Sequence, residues 1–140
     1  MRYVLDASVA LCWVFPRSLS AKALQLRDDY RRRDHQLIAP DHFPHEIANG
    51  LTKAERQKLI AVGEARKHVR DILLLAPILH PTGSLFDRAV DISSQMRCAY
   101  YDCLYVALAE REGCELVTAD DRLVNSLARQ FPFVIPLSSL

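Results

Sequence analysis

The stretch Tyr3-Val4-Leu5-Asp6-Ala7-Ser8-Val9-Ala10-Leu11 decides how the rest of the chain is read. Tyr3-Val4-Leu5 is a short, continuous apolar run, too brief for a helix, and reads as a buried strand. An acid closes it, and from Val9 to Phe15 the chain is apolar almost throughout. The pattern is a buried strand that delivers a carboxylate at its carboxyl end.

The same alternation continues outward. Ser20 to Arg33 reads as an amphipathic helix, with Ala23, Leu24 and Leu26 inward and Arg31-Arg32-Arg33 outward. Gln36-Leu37-Ile38-Ala39 is a second strand, closed by Pro40. Asp41 is placed to cap a helix that tolerates Pro44 in its first turn and runs to about Ile60. Gly63-Glu64 opens another helix, ending near Ala76-Pro77, and Ile78-Leu79-His80 is a short strand. Helices are expected over Ser84 to Met96 and Tyr101 to Glu112, the latter ended by Gly113. Glu115 to Thr118 is a strand, Asp121 to Gln130 a helix, and Phe133-Val134-Ile135 the last strand. Strands separated by helices predict an α/β fold, with a mainly parallel central sheet and helices on its faces.

Length and composition agree. The chain has 140 residues, one domain's length, and a chain of that size buries roughly 70% of its unfolded surface. No linker, repeat or low-complexity tract divides it, so residues 1–140 are expected to form a single domain. Half the residues are hydrophobic and a quarter charged, which excludes a disordered chain. The net charge of +1 excludes a uniformly basic nucleic-acid coat and an acidic tail. It hides a local division: Lys53 to Arg70 holds six basic and two acidic residues, net +4, and Asp102 to Asp121 six acidic and one basic, net −5. Asp6 interrupts the N-terminus before an export-length apolar run can form, and no run of about 18 apolar residues exists, so neither a signal peptide nor a membrane span is expected. Cys12, Cys98, Cys103 and Cys114 form no CxxC pair and no zinc-finger spacing; they read as buried free thiols in a reducing cytoplasm.

Ligands of an open parallel sheet bind beyond the carboxyl ends of its strands. Asp6 and Asp120 both fall there. Glu46 lies about one turn into the helix after the second strand, sharing a face with Asn49 and Lys53, opposite the apolar stripe Ile47, Leu51 and Ala54. Asp102 precedes Leu104 to Ala109, a helix apolar enough to be buried. Each acid taken alone is equally readable as a helix cap or a favourable first-turn charge. Together they would repel one another unless a cation neutralised them, and hard oxygen donors select Mg²⁺ or Mn²⁺ over zinc. That chemistry points to phosphodiester hydrolysis, by a nuclease or a phosphatase.

Four segments carry a family resemblance: Val4-Leu5-Asp6-Ala7-Ser8, the stretch from Ala39-Pro40-Asp41 to Glu46-Ile47-Ala48-Asn49, Tyr101-Asp102-Cys103-Leu104, and Leu116-Val117-Thr118-Ala119-Asp120. In order and spacing they resemble the PIN-domain proteins, particularly the VapC-type toxins of type II toxin–antitoxin pairs. The resemblance implies a three-layer α/β/α sandwich and an endoribonuclease that depends on Mg²⁺ or Mn²⁺ and cleaves RNA with metal-activated water. It makes Asp6, Glu46, Asp102 and Asp120 the catalytic and metal-holding set, with Ser8, Asn49, Thr118 and Asp121 in support. It also implies a cognate antitoxin, a homodimer and a cytoplasmic setting. Cys103 stands where the family commonly has a small residue.

The same residues bear rival readings. A haloacid-dehalogenase-type phosphatase wants a second acid at Ser8, and a receiver domain wants a late lysine, yet no lysine follows Lys67. A catalytically silent binding module on the same fold is the stronger alternative. His42 and His45 beside Glu46 suggest zinc, but Pro44 intervenes and HExxH is absent, which favours surface or packing histidines. Leu11-Cys12-Trp13-Val14-Phe15 is read either as plain core or, in part, as interface.

Overall fold

In the computed structural model, which describes residues 1–16 and 18–140, Arg2–Leu5 (β1) is the middle strand of a five-stranded sheet. Its companions are Gln36–Pro40 (β2), Ile78–His80 (β3), Glu115–Thr118 (β4) and Val134–Pro136 (β5). The order is β3-β2-β1-β4-β5 and every neighbouring pair is parallel. Val4, Leu5, Leu37, Ile38, Leu116 and Val117 are fully or almost fully buried, as strands covered on both faces require. The sheet is thus wholly parallel rather than mainly so.

The order reverses at β1. From β1 the chain steps outward to β2 and β3, then returns to lay β4 on the other side of β1. The carboxyl ends of β1 and β4 therefore lie side by side at the switch point, where open parallel sheets form their binding crevice.

The helices are Ala7–Leu11 (α1), Ser20–Arg31 (α2), Phe43–Arg56 (α3), Glu64–Leu73 (α4), Phe86–Met96 (α5), Tyr100–Glu112 (α6) and Asp121–Leu127 (α7). Residues Cys103 to Ala109 of α6 are all buried, because this helix is apolar on every side and lies across β1, β2 and β4 under α5. Arg88, near the start of α5, donates to both carboxylate oxygens of Glu110 near the end of α6 (2.7 and 3.0 Å), so the two helices run antiparallel. On α3 the stripe Ile47, Leu51 and Ala54 is buried, which turns Glu46 and Asn49 to the other side. No helix among the described residues is long and apolar enough to cross a membrane.

Several boundaries differ from the sequence reading: α2 stops at Arg31 rather than Arg33, α4 at Leu73 rather than near Ala76-Pro77, and β5 is shifted on by one residue. Asp41 caps no helix: its N–H donates to the His80 carbonyl (2.8 Å) and its carboxylate accepts from the Thr82 N–H (3.3 Å), extending the β2–β3 pairing by one residue. Helix α3 starts at Phe43 and stops at Arg56, short of Ile60, because Lys58 turns left-handed (φ 62°). Glu55 then reaches across to accept from the Gly63 and Ala65 N–H groups (3.0 and 2.8 Å), closing the α3–α4 hairpin and satisfying the free donors at the start of α4. A 3-10 turn, Thr82–Leu85, precedes α5, and α7 ends at Leu127.

The apolar stretch after β1 packs inward. Cys12 and Phe15 are buried, and the half-buried Trp13 donates its indole N–H to the Ala23 carbonyl (3.0 Å), tying the end of α1 to α2. All four cysteines are free thiols, two buried and two half-buried.

Leu51 is completely buried in the stripe that seats α3. Leu51→Ala is expected to lower the unfolding free energy by about 2–5 kcal/mol in urea titrations; a loss below about 1 kcal/mol would show that the stripe is not the seat of the helix.

Candidate active site

Asp6 is the fixed point of the site. It directly follows β1, its N–H donates to the Val117 carbonyl (3.1 Å), and the residue is only 6% exposed. Two hydroxyls donate to the same carboxylate oxygen, Ser8 from α1 (2.5 Å) and Thr118 from the end of β4 (2.8 Å). Ser8 in turn accepts the Ala119 N–H (3.0 Å), and Thr118 accepts the Asp120 N–H (3.0 Å). The ends of β1 and β4 are laced together by side chains, and one Asp6 oxygen is used up in the lacing.

Asp120 closes β4 and caps α7, accepting from the Arg122 and Leu123 N–H groups (3.0 and 3.4 Å) through one oxygen. The cap reading and the site reading both hold for this residue, because a cap occupies one carboxylate oxygen and leaves the other. Asp102 lies in the first turn of α6 and Glu46 in the first turn of α3. The four acids therefore stand at the N-terminal ends of α1, α3, α6 and α7, where helix dipoles favour negative charge.

The four acids are electrostatically coupled. Burial pushes the Asp102 carboxyl up to about 6, with the charges of Asp6, Glu46 and Asp120 adding to the rise and His42 opposing it. Burial likewise raises Asp6; the Ser8 and Thr118 hydroxyls pull it back, and Glu46 and Asp120 push it up again. Among the described residues no three acidic, cysteine or histidine side chains are drawn to the spacing of direct ligands on one ion. What the fold assembles is a set of mutually repelling carboxylates at the carboxyl edge of the sheet. The thiol beside them does not compete: burial pushes Cys103 up to about 12, so it stays neutral. Hard, anionic and short of counter-charge, the donor set fits a divalent cation such as Mg²⁺ or Mn²⁺.

Two residues at the site escaped the sequence reading as functional groups. Tyr105, fully buried on α6, has its hydroxyl beside Glu46; burial, then the charges of Asp6 and Glu46, hold that phenol far above its ordinary range, so it stays protonated. His42 packs its ring 4.9 Å from that of Tyr105 and 5.6 Å from that of Tyr101, and its Nε2 lies 3.1 Å from Glu46 Oε1. That last approach is within ion-pair distance without the alignment of a formed hydrogen bond, and the Tyr105 hydroxyl is likewise unaligned with any acceptor among the described residues. The signals were present: Tyr105 follows Asp102 at i+3 and His42 precedes Glu46 at i−4, both on the acid's own helix face. His42 is a packing histidine as expected, but it packs against the site. The exposed His45 does not take part.

The supporting residues divide. Ser8 and Thr118 hold Asp6 directly, whereas Asn49 and Asp121 are exposed and near the acids only by their places on α3 and α7.

Comparison with known proteins matches the PIN domain family model over residues 3–128. Ribonuclease VapC9 of Mycobacterium tuberculosis is 35% identical over 138 residues, which span 94% of this chain and 96% of that protein. Among solved structures, PAE2754 from Pyrobaculum aerophilum superposes with a TM-score of 0.72 at 20% identity, covering 99% of this chain and 94% of the other. VapBC2 from Rickettsia felis, solved bound to a DNA fragment from its promoter, superposes with a TM-score of 0.64 at 11% identity, covering 97% of both chains. These two structures speak for the fold.

The raised Asp102 carboxyl makes the stability of the metal-free protein pH-dependent. Its folded value, about 6, exceeds its usual 3.8, so between these pH values the folded state binds more protons than the unfolded one. This contribution therefore weakens the fold as pH rises from about 4 to 7. With discounting for its partial exposure, Asp102→Asn is expected to stabilise the metal-free protein by about 1–2 kcal/mol at pH 7 and by little at pH 4. Thermal melts at the two pH values check this; equal stabilisation at both would contradict the cause given for the shift.

Proposed function

The chain belongs to the PIN-domain family, and on that premise we propose that it is an endoribonuclease of the VapC type, the toxin of a type II toxin–antitoxin pair. The observation that carries the reading is the convergence of four carboxylates whose mutual repulsion helps lift Asp102 to about 6. Its cofactor is Mg²⁺ or Mn²⁺, held by Asp6, Glu46, Asp102 and Asp120. Such an ion lowers the pKa of water and stabilises charge on the phosphate oxygens.

The chain's own residues have distinct tasks in this reading. Asp6, with one oxygen committed to Ser8 and Thr118, offers the other at a fixed position. Asp120 is held in the same way by its capping bonds. Asp102 and Glu46 are the adjustable members, one releasing its proton only at about pH 6 and the other lacking an aligned partner for a buried oxygen. The Tyr105 phenol, kept protonated, can donate to Glu46 and steady it, and Asn49 and Asp121 flank the crevice on the solvent side. RNA approaches over the basic residues of α3 and α4. Lys53 lies seven residues beyond Glu46, about 10 Å along the helix, and Arg66, Lys67 and Arg70 line an open hollow on α4 with Gly63 and Asp71. Those cations bind the phosphate backbone while the acids hold the cleavage point, and the family resemblance implies 5′-phosphate and 3′-hydroxyl ends. The working form is a single-domain cytoplasmic homodimer, silenced by a cognate antitoxin.

Asp6→Asn and Asp102→Asn are each expected to reduce Mn²⁺-dependent cleavage of RNA by at least about a hundredfold. A purified variant cutting at the wild-type rate would sink the assignment. Calorimetry with Mn²⁺ should find a site in the wild type that both variants weaken. At a hundredfold excess over its dissociation constant the ion should add about 2.7 kcal/mol of stability, a gain the variants lose.

A further inference from the structure

We propose that the exposed ring of Tyr101, backed by His42, is the platform on which an unpaired RNA base beside the scissile phosphate stacks. The inference rests on the ribonuclease reading above and says where the bases of its substrate go.

Tyr101 immediately precedes Asp102 on α6 and is 61% exposed, although large aromatic rings are usually well covered. His42 lies against the ring in a stacked arrangement, with centroids 5.6 Å apart and planes inclined by 30°. His42 itself is held: its side chain is only 11% exposed, its ring packs on Tyr105, and its Nε2 lies 3.1 Å from Glu46. The stack is thus fixed to the carboxylate cluster before any ligand arrives, and a preorganised surface loses little on binding. Tyr100 meets Tyr101 edge-on at 5.5 Å, and Phe86, itself 55% exposed, meets Tyr100 at 5.9 Å, so an aromatic margin runs outward from the acids.

The chemistry of the place selects a base. A polyanion approaching four carboxylates finds no attraction in them, and the cations that hold its backbone lie on other helices. The neutral surface beside Asp102 that offers favourable contact is the aromatic one, and every nucleobase has a face that stacks on such a ring. Bases can reach it only when unpaired, so the platform confines the nuclease to single strands, loops and bulges.

The test is direct binding of a fluorescent single-stranded oligoribonucleotide of mixed sequence, by anisotropy at low salt with EDTA, beside an otherwise identical strand carrying abasic sites. Tyr101→Ala is expected to weaken binding of the intact strand by about 5- to 100-fold, and Tyr101→Phe, which keeps the ring, to restore it. The abasic strand should bind the wild type and Tyr101→Ala alike. Equal binding of the intact strand by the wild type and Tyr101→Ala would overturn the platform. So would a Tyr101→Ala defect confined to self-association or capture of a protein partner, which would make the surface a protein contact. A wild type that cuts RNA in a parallel Mn²⁺ assay beside a Tyr101→Ala unimpaired in binding removes the platform alone, whereas a wild type that neither binds RNA nor cuts it with Mn²⁺ removes the ribonuclease reading as well.

Discussion

Everything at the carboxyl edge of the sheet follows from holding four carboxylates together against their own repulsion. Like charges gathered at one edge and partly out of water would drive their elements apart if each were held only by its own backbone. Three devices counter the repulsion. The hydroxyls of Ser8 and Thr118 stabilise the charged form of Asp6 and bind β1 to β4 in the same act. Helix N-termini stand behind the acids and contribute partial positive charge. Protonation provides the third, since Asp102 titrates near 6 and need not carry its charge at all times. The residual strain is what a divalent cation would relieve, so the site is weakest as a folding unit where it is strongest as a binding site.

The packing below supplies the rigidity this needs. Seven successive buried residues of α6 anchor Asp102, and α5 is clamped over them by the two-pronged Arg88–Glu110 pair. Glu46 is placed by the buried stripe of α3 on the other side of the crevice. Because β1 and β4 are neighbours only through the return crossover, Asp6 and Asp120 stand at adjacent strand ends although they are 114 positions apart in the chain (120 − 6).

Much of this is legible in the chain. Strands buried on both faces appear as short apolar runs, and an acid after such a run must lie at the carboxyl edge, so Asp6 and Asp120 were readable from position alone. Glu46 was readable from the helical phase of the apolar residues around it, and Asp102 from its place at the start of a helix too apolar to be exposed. What escaped depends on contacts between segments distant in sequence. His42 looked like a packing histidine because its neighbours Tyr101 and Tyr105 lie on another helix about 60 residues away (101 − 42 = 59). Asp41 looked like a cap because its partner, the Thr82 N–H, arrives with a strand that pairs only in the folded sheet. The stop of α3 was hidden because Lys58, no helix breaker by composition, adopts a left-handed turn as Glu55 engages the next helix.

The most direct test of a shared, cation-seeking carboxylate cluster is the titration of the carboxyl carbons themselves, by NMR of ¹³C-labelled protein with and without Mg²⁺. The Asp102 carboxyl in the metal-free protein should titrate near pH 6, and saturating Mg²⁺ should move its midpoint well below 4, because the ion favours the charged form. An Asp102 midpoint near the usual 3.8 without metal, unmoved by Mg²⁺, would contradict the account.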